Sequence, residues 1–204
     1  MPIKNIIFDL GGVLLNIDYN KTINAFIELG IQNFDEMYSQ STANQLFEDL
    51  ETGKISENDF YAELKKVLPA NINNNDIQAA WNKMLLNFRI ESLNSLNSLK
   101  ENYKIFLLSN TNSIHISAFN QIFFKETGKK RLDDFFHKAY YSNIIGLRKP
   151  HKEAFEYVLN DAGIQASDTL FIDDSINNIT TAKSLNLMVH HLLPNEYIEQ
   201  LKLN

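Results

Sequence analysis

Lys4-Asn5-Ile6-Ile7-Phe8-Asp9-Leu10-Gly11-Gly12 is a short apolar run that ends in a carboxylate and then in two glycines. A nearly continuous apolar run of this length suits a strand of a parallel sheet, covered on both faces so that neither side of the pleat meets water. The same pattern returns at Thr169-Leu170-Phe171-Ile172-Asp173-Asp174, where two acids follow the run. Without the acid it also appears at Lys104–Ser109, Ala139–Ser142 and Met188–Leu192. The intervening spacing predicts helices over Ser113–Phe124, His151–Ala162 and Ile176–Leu185, and a last one over Asn195–Leu203. Strand alternating with helix predicts an α/β fold built on a doubly wound parallel sheet.

One stretch interrupts the alternation. From Tyr19 to Asn102 the chain reads as helix after helix with no strand. Ser56 with Asp59 has the form of a capping box, and Gly53 suits the end of the helix before it. Phe60, Leu64 and Val67 form one helical apolar stripe, and Ile77, Trp81, Met84 and Leu85 form another. The Asn-rich Asn71–Asn75 reads as a loop or a helix start. So many helices do not fit one crossover between two strands, so an α-helical cap inserted after the first strand is expected. Phe47, Tyr61 and Trp81 read either as core aromatics or as lining of a ligand site.

The 204 residues leave room for one core and a modest insert. A hydrophobic fraction of 44% supports that core without disulfides or a structural metal. The chain has no cysteine, which excludes disulfide frameworks, thiolate nucleophiles and Cys-ligated zinc, and fits a reducing compartment. The net charge is −6, and the longest basic block is Lys129-Lys130-Arg131, so no nucleic-acid partner is expected. Met1-Pro2-Ile3-Lys4-Asn5 leads directly into the first strand, and there is no membrane-length apolar run. The expectation is a soluble cytoplasmic protein without a membrane partner, either a monomer or a homodimer.

Four segments carry chemistry. In open α/β sheets ligands gather at the carboxyl ends of the strands. Asp9 stands at such an end, where a buried carboxylate needs a metal or a cation. Gly11 and Gly12 let the backbone approach a ligand, though a plain turn has the same form. Asp173 and Asp174 are adjacent carboxylates that repel one another. A hard divalent cation such as Mg²⁺ removes that conflict; a helix N-terminus with a charged first turn is the other reading. Two acidic strand ends in one sheet favour the metal. In Leu107-Leu108-Ser109-Asn110-Thr111 the hydroxyl and amide either donate to phosphate oxygens or cap the next helix. In Gly146-Leu147-Arg148-Lys149-Pro150 the proline holds Lys149 extended near a helix start. Its ammonium there either balances Asp9, Asp173 and a phosphoryl group or is simply solvated.

Taken in order, FDLGGVLL, LLSNTN, GLRKP and FIDDSINNITTAKSLNL resemble the four motifs of the haloacid dehalogenase superfamily along the whole chain. Within it the pattern is most similar to the α-glucose-1-phosphate phosphatase-like subgroup and to the phosphatase domain of soluble epoxide hydrolase. The resemblance implies a catalytic core made of residues 1–18 and 103–204. Residues 19–102 would supply the α-helical cap and the helix returning to the core. It also implies a Mg²⁺-dependent phosphatase of a small phosphorylated metabolite, a sugar phosphate among the candidates, working through an aspartyl phosphate. By the same resemblance Asp9 and Lys149 are catalytic. Asp9, the Gly11 carbonyl and Asp174 would ligate Mg²⁺, with Asp173 acting through water. Gly11, Gly12, Ser109, Asn110 and Lys149 would hold the phosphate, and Asn178 would be structural.

One position departs from the pattern. Most phosphatases of the superfamily carry a second Asp where this chain has Gly11, and it protonates the leaving group. General acid–base catalysis contributes about 10²–10⁴-fold. Asp18 and His115 are the candidate substitutes. Two alternative readings accompany the first: a 2-haloacid dehalogenase, and a catalytically weakened relative that binds a phosphorylated ligand.

Overall fold

The computed structural model describes residues 2–38 and 44–201. The chain opens with β1 (Asn5–Phe8) and a short β2 (Leu15–Ile17). It then runs through α1 (Tyr19–Leu29), α2 (Phe34–Met37), α3 (Gln45–Glu51), α4 (Glu57–Lys65) and α5 (Asn74–Asn82). After β3 (Leu85–Phe88) and α6 (Ile90–Asn102), strand and helix alternate. The order is β4 (Lys104–Ser109), α7 (Ser113–Thr127), β5 (Lys138–Tyr141), α8 (Ser142–Ile145), α9 (Lys152–Ala162), β6 (Thr169–Asp173), α10 (Ile176–Ser184) and β7 (Met188–His191).

Five strands form one parallel sheet in the order β5-β4-β1-β6-β7. β1 is central and buried on both faces. Ile6 and Phe8 pack with Leu107 and Ile172 on one side, while Ile7 packs with Phe106 and Phe171 on the other. The doubly wound sheet expected from the apolar runs is therefore the observed one. From β1 the chain builds outward through β4 to β5, then returns to the other side of β1 for β6 and β7. The reversal lies between β1 and β6, and a crevice opens there at the carboxyl ends of the strands. Phe8 pairs with Ile172, so the residues that follow them, Asp9 and Asp173, emerge side by side.

The insert has its own packing. Phe26, Phe34, Phe47, Phe60 and Trp81 are buried in a cluster drawn mostly from α1 to α5, which Ile114 of α7 joins. Phe26 and Phe34 stack at 4.0 Å, and the Tyr38 ring meets Trp81 edge-on at 4.6 Å. Phe47, Tyr61 and Trp81 are thus core aromatics. The Ser56–Asp59 capping box is present, and a second one, Asn73 with Asp76, makes the Asn-rich stretch a helix start.

Three expectations are corrected. First, the stretch from Tyr19 to Asn102 does contain a strand: β3 pairs antiparallel with β2, which enters the insert. Met84 and Leu85 do not continue the stripe of α5, which stops at Asn82. A short, mostly apolar segment after a helix does not distinguish continued helix from strand, and the edge that β2 offers decides the matter here. Second, Val67 is 60% exposed, because α4 ends at Lys65 and the following residues turn away. Third, the described part of Asn195–Leu203 is not one continuous helix. The described part holds one 3₁₀ turn at Ile198–Gln200, and residues 202–204 lie outside the described residues. Asn195 is left-handed, Tyr197 is extended, and Ile198 plugs into the core beside the sheet, so tertiary packing overrides the local pattern.

Candidate active site

The crevice at the strand reversal gathers the acids. Asp9 follows β1, Asp173 ends β6 and Asp174 comes next. Lys149, from the connection between α8 and α9, places Nζ 2.7 Å from Asp9 Oδ1 and 2.7 Å from Asp173 Oδ2. Its residue exposure is 1%, so the ammonium is committed to these two partners. Asp173 is fully buried and also accepts from Ser175 N at 2.8 Å and from Asn178 Nδ2 at 3.0 Å on each oxygen. So many donors fix its carboxylate in place, and Asn178 has the structural part expected of it. Asp174 turns to the cavity and lies against Gly12.

The electrostatics of the cluster are unbalanced. Burial raises the Asp9 carboxyl, Lys149 opposes, Asp173 and Asp174 add to the rise, and the balance falls at about 7. Burial and then the Asp173 charge lift Asp174 to about 6. Burial works against the Lys149 ammonium, but Asp173 and Asp9 outweigh it and hold Lys149 above its ordinary value. Three carboxylates thus share one ammonium, and with all three ionised they exceed it by two negative charges. Asp9, Asp173 and Asp174 each offer an oxygen within 4.8 Å of the others, a spacing and a hard-oxygen donor set that fit a divalent cation such as Mg²⁺.

Ser109 ends β4 at the cavity wall. The Asn110 side chain is put to another use: Nδ2 donates to the Lys149 carbonyl at 2.7 Å, and Oδ1 accepts from Lys149 N at 2.9 Å. This two-point clasp holds the Lys149 backbone, and Asn110 itself lines the cavity. The capping role open for this segment falls to Asn112, whose Oδ1 accepts from His115 N at 3.0 Å. Gly11 lines the cavity, and a Cβ there would meet Ile17 Cγ1 at 3.1 Å.

Neither candidate for the missing acid is well suited. Asp18 caps α1, accepting from Asn20 N at 3.0 Å, and does not line the cavity. His115 does line it, stacked on Trp81 at 4.7 Å with Nδ1 2.8 Å from Asn82 Oδ1. Burial pushes this imidazole down to about 3, so it is neutral, and the acceptor Oδ1 assigns its proton to Nδ1.

Above the acids lies a cavity of about 420 Å³. Its lining includes residues to which sequence reasoning gave no role: Tyr19, Tyr38, Glu48 and Glu51 from the insert, and Arg148 beside Lys149. Arg148 Nη1 lies 2.8 Å from Glu48 Oε1, and its Nε lies 2.9 Å from Glu51 Oε2. Tyr38 OH donates to Glu51 Oε1 at 3.0 Å. Glu51 stands four residues after Phe47 on one helix face, so a buried acid there was readable from the spacing.

A family model described as haloacid dehalogenase-like hydrolase matches residues 3–186. D-ribitol-5-phosphate phosphatase of Bacteroides thetaiotaomicron is 34% identical over 183 residues, covering 90% of this chain and 88% of the relative. The crystal structure of a HAD-family enzyme of Bacteroides thetaiotaomicron, an aspartate-to-alanine mutant in complex with magnesium and inorganic phosphate, superposes with a TM-score of 0.89. It is 34% identical, and the match covers 96% of each chain. L-2-haloacid dehalogenase from Xanthobacter autotrophicus, with chloropropionic acid covalently bound, superposes with a TM-score of 0.60 at 18% identity, covering 97% of this chain and 81% of that one. At that identity the likeness is one of fold.

Proposed function

Because this chain belongs to the haloacid dehalogenase-like hydrolases, we propose that it is a Mg²⁺-dependent phosphatase of a small phosphorylated metabolite, with Asp9 as the nucleophile. The observation that carries this reading is the Asp9–Lys149–Asp173–Asp174 cluster, three converging carboxylates around one ammonium, a donor set that suits a divalent cation. The magnesium and phosphate held by the Bacteroides enzyme support it. Asp9, Asp174 and the Gly11 carbonyl would hold Mg²⁺, with Asp173 acting through water. When bound, Mg²⁺ supplies positive charge at the transferring phosphoryl oxygens.

The chain's own groups divide the remaining work. An Asp9 oxygen attacks phosphorus, the bond from phosphorus to the leaving oxygen breaks, and an aspartyl phosphate forms. Lys149 balances charge on the nucleophile and the phosphoryl group, and the Asn110 clasp keeps it there. Ser109, Lys149 and the Gly11-Gly12 backbone hold the phosphate. Water then attacks the aspartyl phosphate, releasing inorganic phosphate and restoring Asp9. Residues 1–18 and 103–204 act as the catalytic core, and 19–102 supply a cap that shapes the leaving-group side of the cavity together with the helix returning to the core. The test is phosphate release from a panel of phosphate esters, D-ribitol 5-phosphate among them, with Mg²⁺ and with chelator. Folded protein that releases no phosphate from any ester, or that works equally well in chelator, sinks the reading.

Gly11 bears on the proton. With no acid at this position, alkyl leaving groups depart with solvent as their proton source, and they suffer more than aryl groups, which need less protonation. Gly11→Asp will raise kcat on alkyl phosphates by roughly 10-fold or more, and by less on aryl phosphates. The Cβ needs only a small shift of the flexible Ile17 side chain. Equal or reduced rates on both classes would count against solvent as the proton source.

Gly12 bears on the metal. Its φ of +69° is left-handed, and a Cβ there would collide with the Asp174 carboxylate. Gly12→Ala will displace Asp174 and weaken Mg²⁺ binding by about 10–100-fold, the usual consequence of disturbing a ligand's support. Calorimetric titration with Mg²⁺ reads this directly, and an unchanged affinity would show that Asp174 is not a ligand.

A further inference from the structure

We infer that the Tyr19 hydroxyl donates a hydrogen bond to the oxygen that leaves phosphorus, so that the insert itself stabilises the departing alkoxide in a chain with Gly11 where most of its relatives place an Asp. The inference rests on the phosphatase reading above and adds a catalytic residue to it.

Two tyrosines of the insert, Tyr19 and Tyr38, line the cavity that holds Asp9 and Asp174. Tyr38 commits its proton to Glu51 at 3.0 Å. Tyr19 makes no such commitment. It is half-buried, and among the described residues its hydroxyl has no hydrogen-bond partner, yet it is not one of the unpaired polar atoms sealed off from the surface. Burial comes first in raising this phenol well above its ordinary value, and the charges of Asp174, Glu51, Asp9 and Asp173 follow in that order. Asp174, Glu51 and Asp9 line the same cavity, so the hydroxyl lies on the cavity side of the ring, near the acids. A phenol in these surroundings keeps its proton at neutral pH and serves as a donor.

The backbone fixes this placement. Tyr19 opens α1 directly after its cap Asp18, whose N–H is fastened to the Met84 carbonyl at 3.0 Å. Two residues before Tyr19, Ile17 Cγ1 lies 3.1 Å from the point that a Gly11 Cβ would occupy. Tyr19 therefore enters the cavity from beside the position of the absent Asp. Its ring lies tilted against that of Tyr38 at 6.1 Å, and Tyr38 is itself tied to Glu51, which restrains the swing of the phenol.

The direction of the reaction selects the contact. In an in-line displacement the leaving oxygen departs from the side of phosphorus opposite the nucleophile. Asp9 attacks from the strand ends, so the leaving oxygen faces the insert, the source of Tyr19. As the bond from Asp9 to phosphorus forms, the bond from phosphorus to the ester oxygen breaks and its electron pair passes to that oxygen. The hydrogen bond from Tyr19 strengthens as this charge grows, the phenol keeps its proton, and a solvent proton completes the alcohol.

The experiment compares wild type with Tyr19→Phe on a series of phosphate monoesters that runs from acidic aryl alcohols to alkyl alcohols, at saturating Mg²⁺. The readout is kcat/KM, which covers every step through departure of the alcohol. The expected loss is about 10²-fold on alkyl esters, the scale for removing one donor to a developing oxyanion. It shrinks toward the most acidic aryl alcohol, so the dependence of rate on leaving-group pKa steepens. A uniform loss across the series, or none, overturns the inference and assigns Tyr19 to packing. If Tyr19→Phe does not fold, 3-fluorotyrosine in place of Tyr19 keeps the shape of the ring and makes the hydroxyl a stronger donor. Alkyl esters then gain relative to aryl esters, and an unchanged ratio overturns the inference. Either negative result with an active wild type leaves the phosphatase reading standing, whereas wild type that releases no phosphate from any ester overturns both.

Discussion

Asp9→Asn will lower kcat by at least about 10⁴-fold on every phosphate ester while making the metal-free protein more resistant to heat. The first effect follows from the loss of the nucleophile, since a carboxamide does not form the acyl phosphate. The second follows from the surroundings of Asp9, where burial comes first and the Asp173 and Asp174 charges add to it against Lys149. A carboxyl raised from 3.8 to about 7 binds its proton more tightly in the folded than in the unfolded chain. Folding then takes up a proton between those two values, and metal-free stability falls as pH rises through that window. The amide keeps an oxygen for Lys149 Nζ but removes the charge, so the variant escapes this loss near neutral pH. A chain of this size gains about 2–4 °C in Tm for each kcal/mol recovered. Thermal denaturation in chelator across the window checks the sign, and a lower Tm for Asp9→Asn at neutral pH would refute it.

Lys149→Met will act in the opposite direction on stability and in the same direction on activity. Removing one member of a buried ion pair strands its partners and costs about 3–5 kcal/mol. Here it leaves Asp9, Asp173 and Asp174 facing one another with no ammonium between them. The metal-free Tm is expected to fall by about 6–20 °C on the same conversion. Saturating Mg²⁺ will restore part of that loss, because the cation supplies some of the missing positive charge. Turnover will drop by about 10²–10³-fold even when the protein is folded, the usual scale for one electrostatic contact to the transferring group. The readouts are paired melting curves with and without Mg²⁺ and phosphate release below both midpoints. A metal-free Tm within a degree or two of wild type would show that the carboxylates are not held against each other by this lysine.

The sheet was legible because its central strands are buried on both faces. Ile6, Ile7 and Phe8 carry no polar residue to mark a solvent side, and Leu170, Phe171 and Ile172 repeat the signature, so a covered parallel strand was the fitting element. The acids of the site were legible for a related reason: Asp9 and Asp173 end those runs, and only a strand-end site makes sense of charged groups so close to apolar ones. Lys149 was found through the proline that follows it. What remained hidden depended on partners distant in sequence. β3 is a strand because β2 offers it an edge. Asn110 clasps the Lys149 backbone because β4 and the loop before α9 meet. Glu51 stands four residues after Phe47 but was given no role, because its pairing with Arg148 appears only when the insert lies over the core.

The β2–β3 ribbon has a consequence for how such a molecule diversifies. Asp18 N donates to the Met84 carbonyl at 3.0 Å, and Arg89 N donates to the Leu14 carbonyl at 2.8 Å, so the departing and returning chains are fastened to each other at both ends of the ribbon. Everything between them hangs from one neck. Loops there are free to lengthen, helices to be exchanged, and entire modules to be grafted, while the neck presents the same two ends to the parallel sheet. Selectivity is thereby separable from reactivity along the polypeptide, and recombination at this neck offers new specificities without rebuilding the machinery beneath.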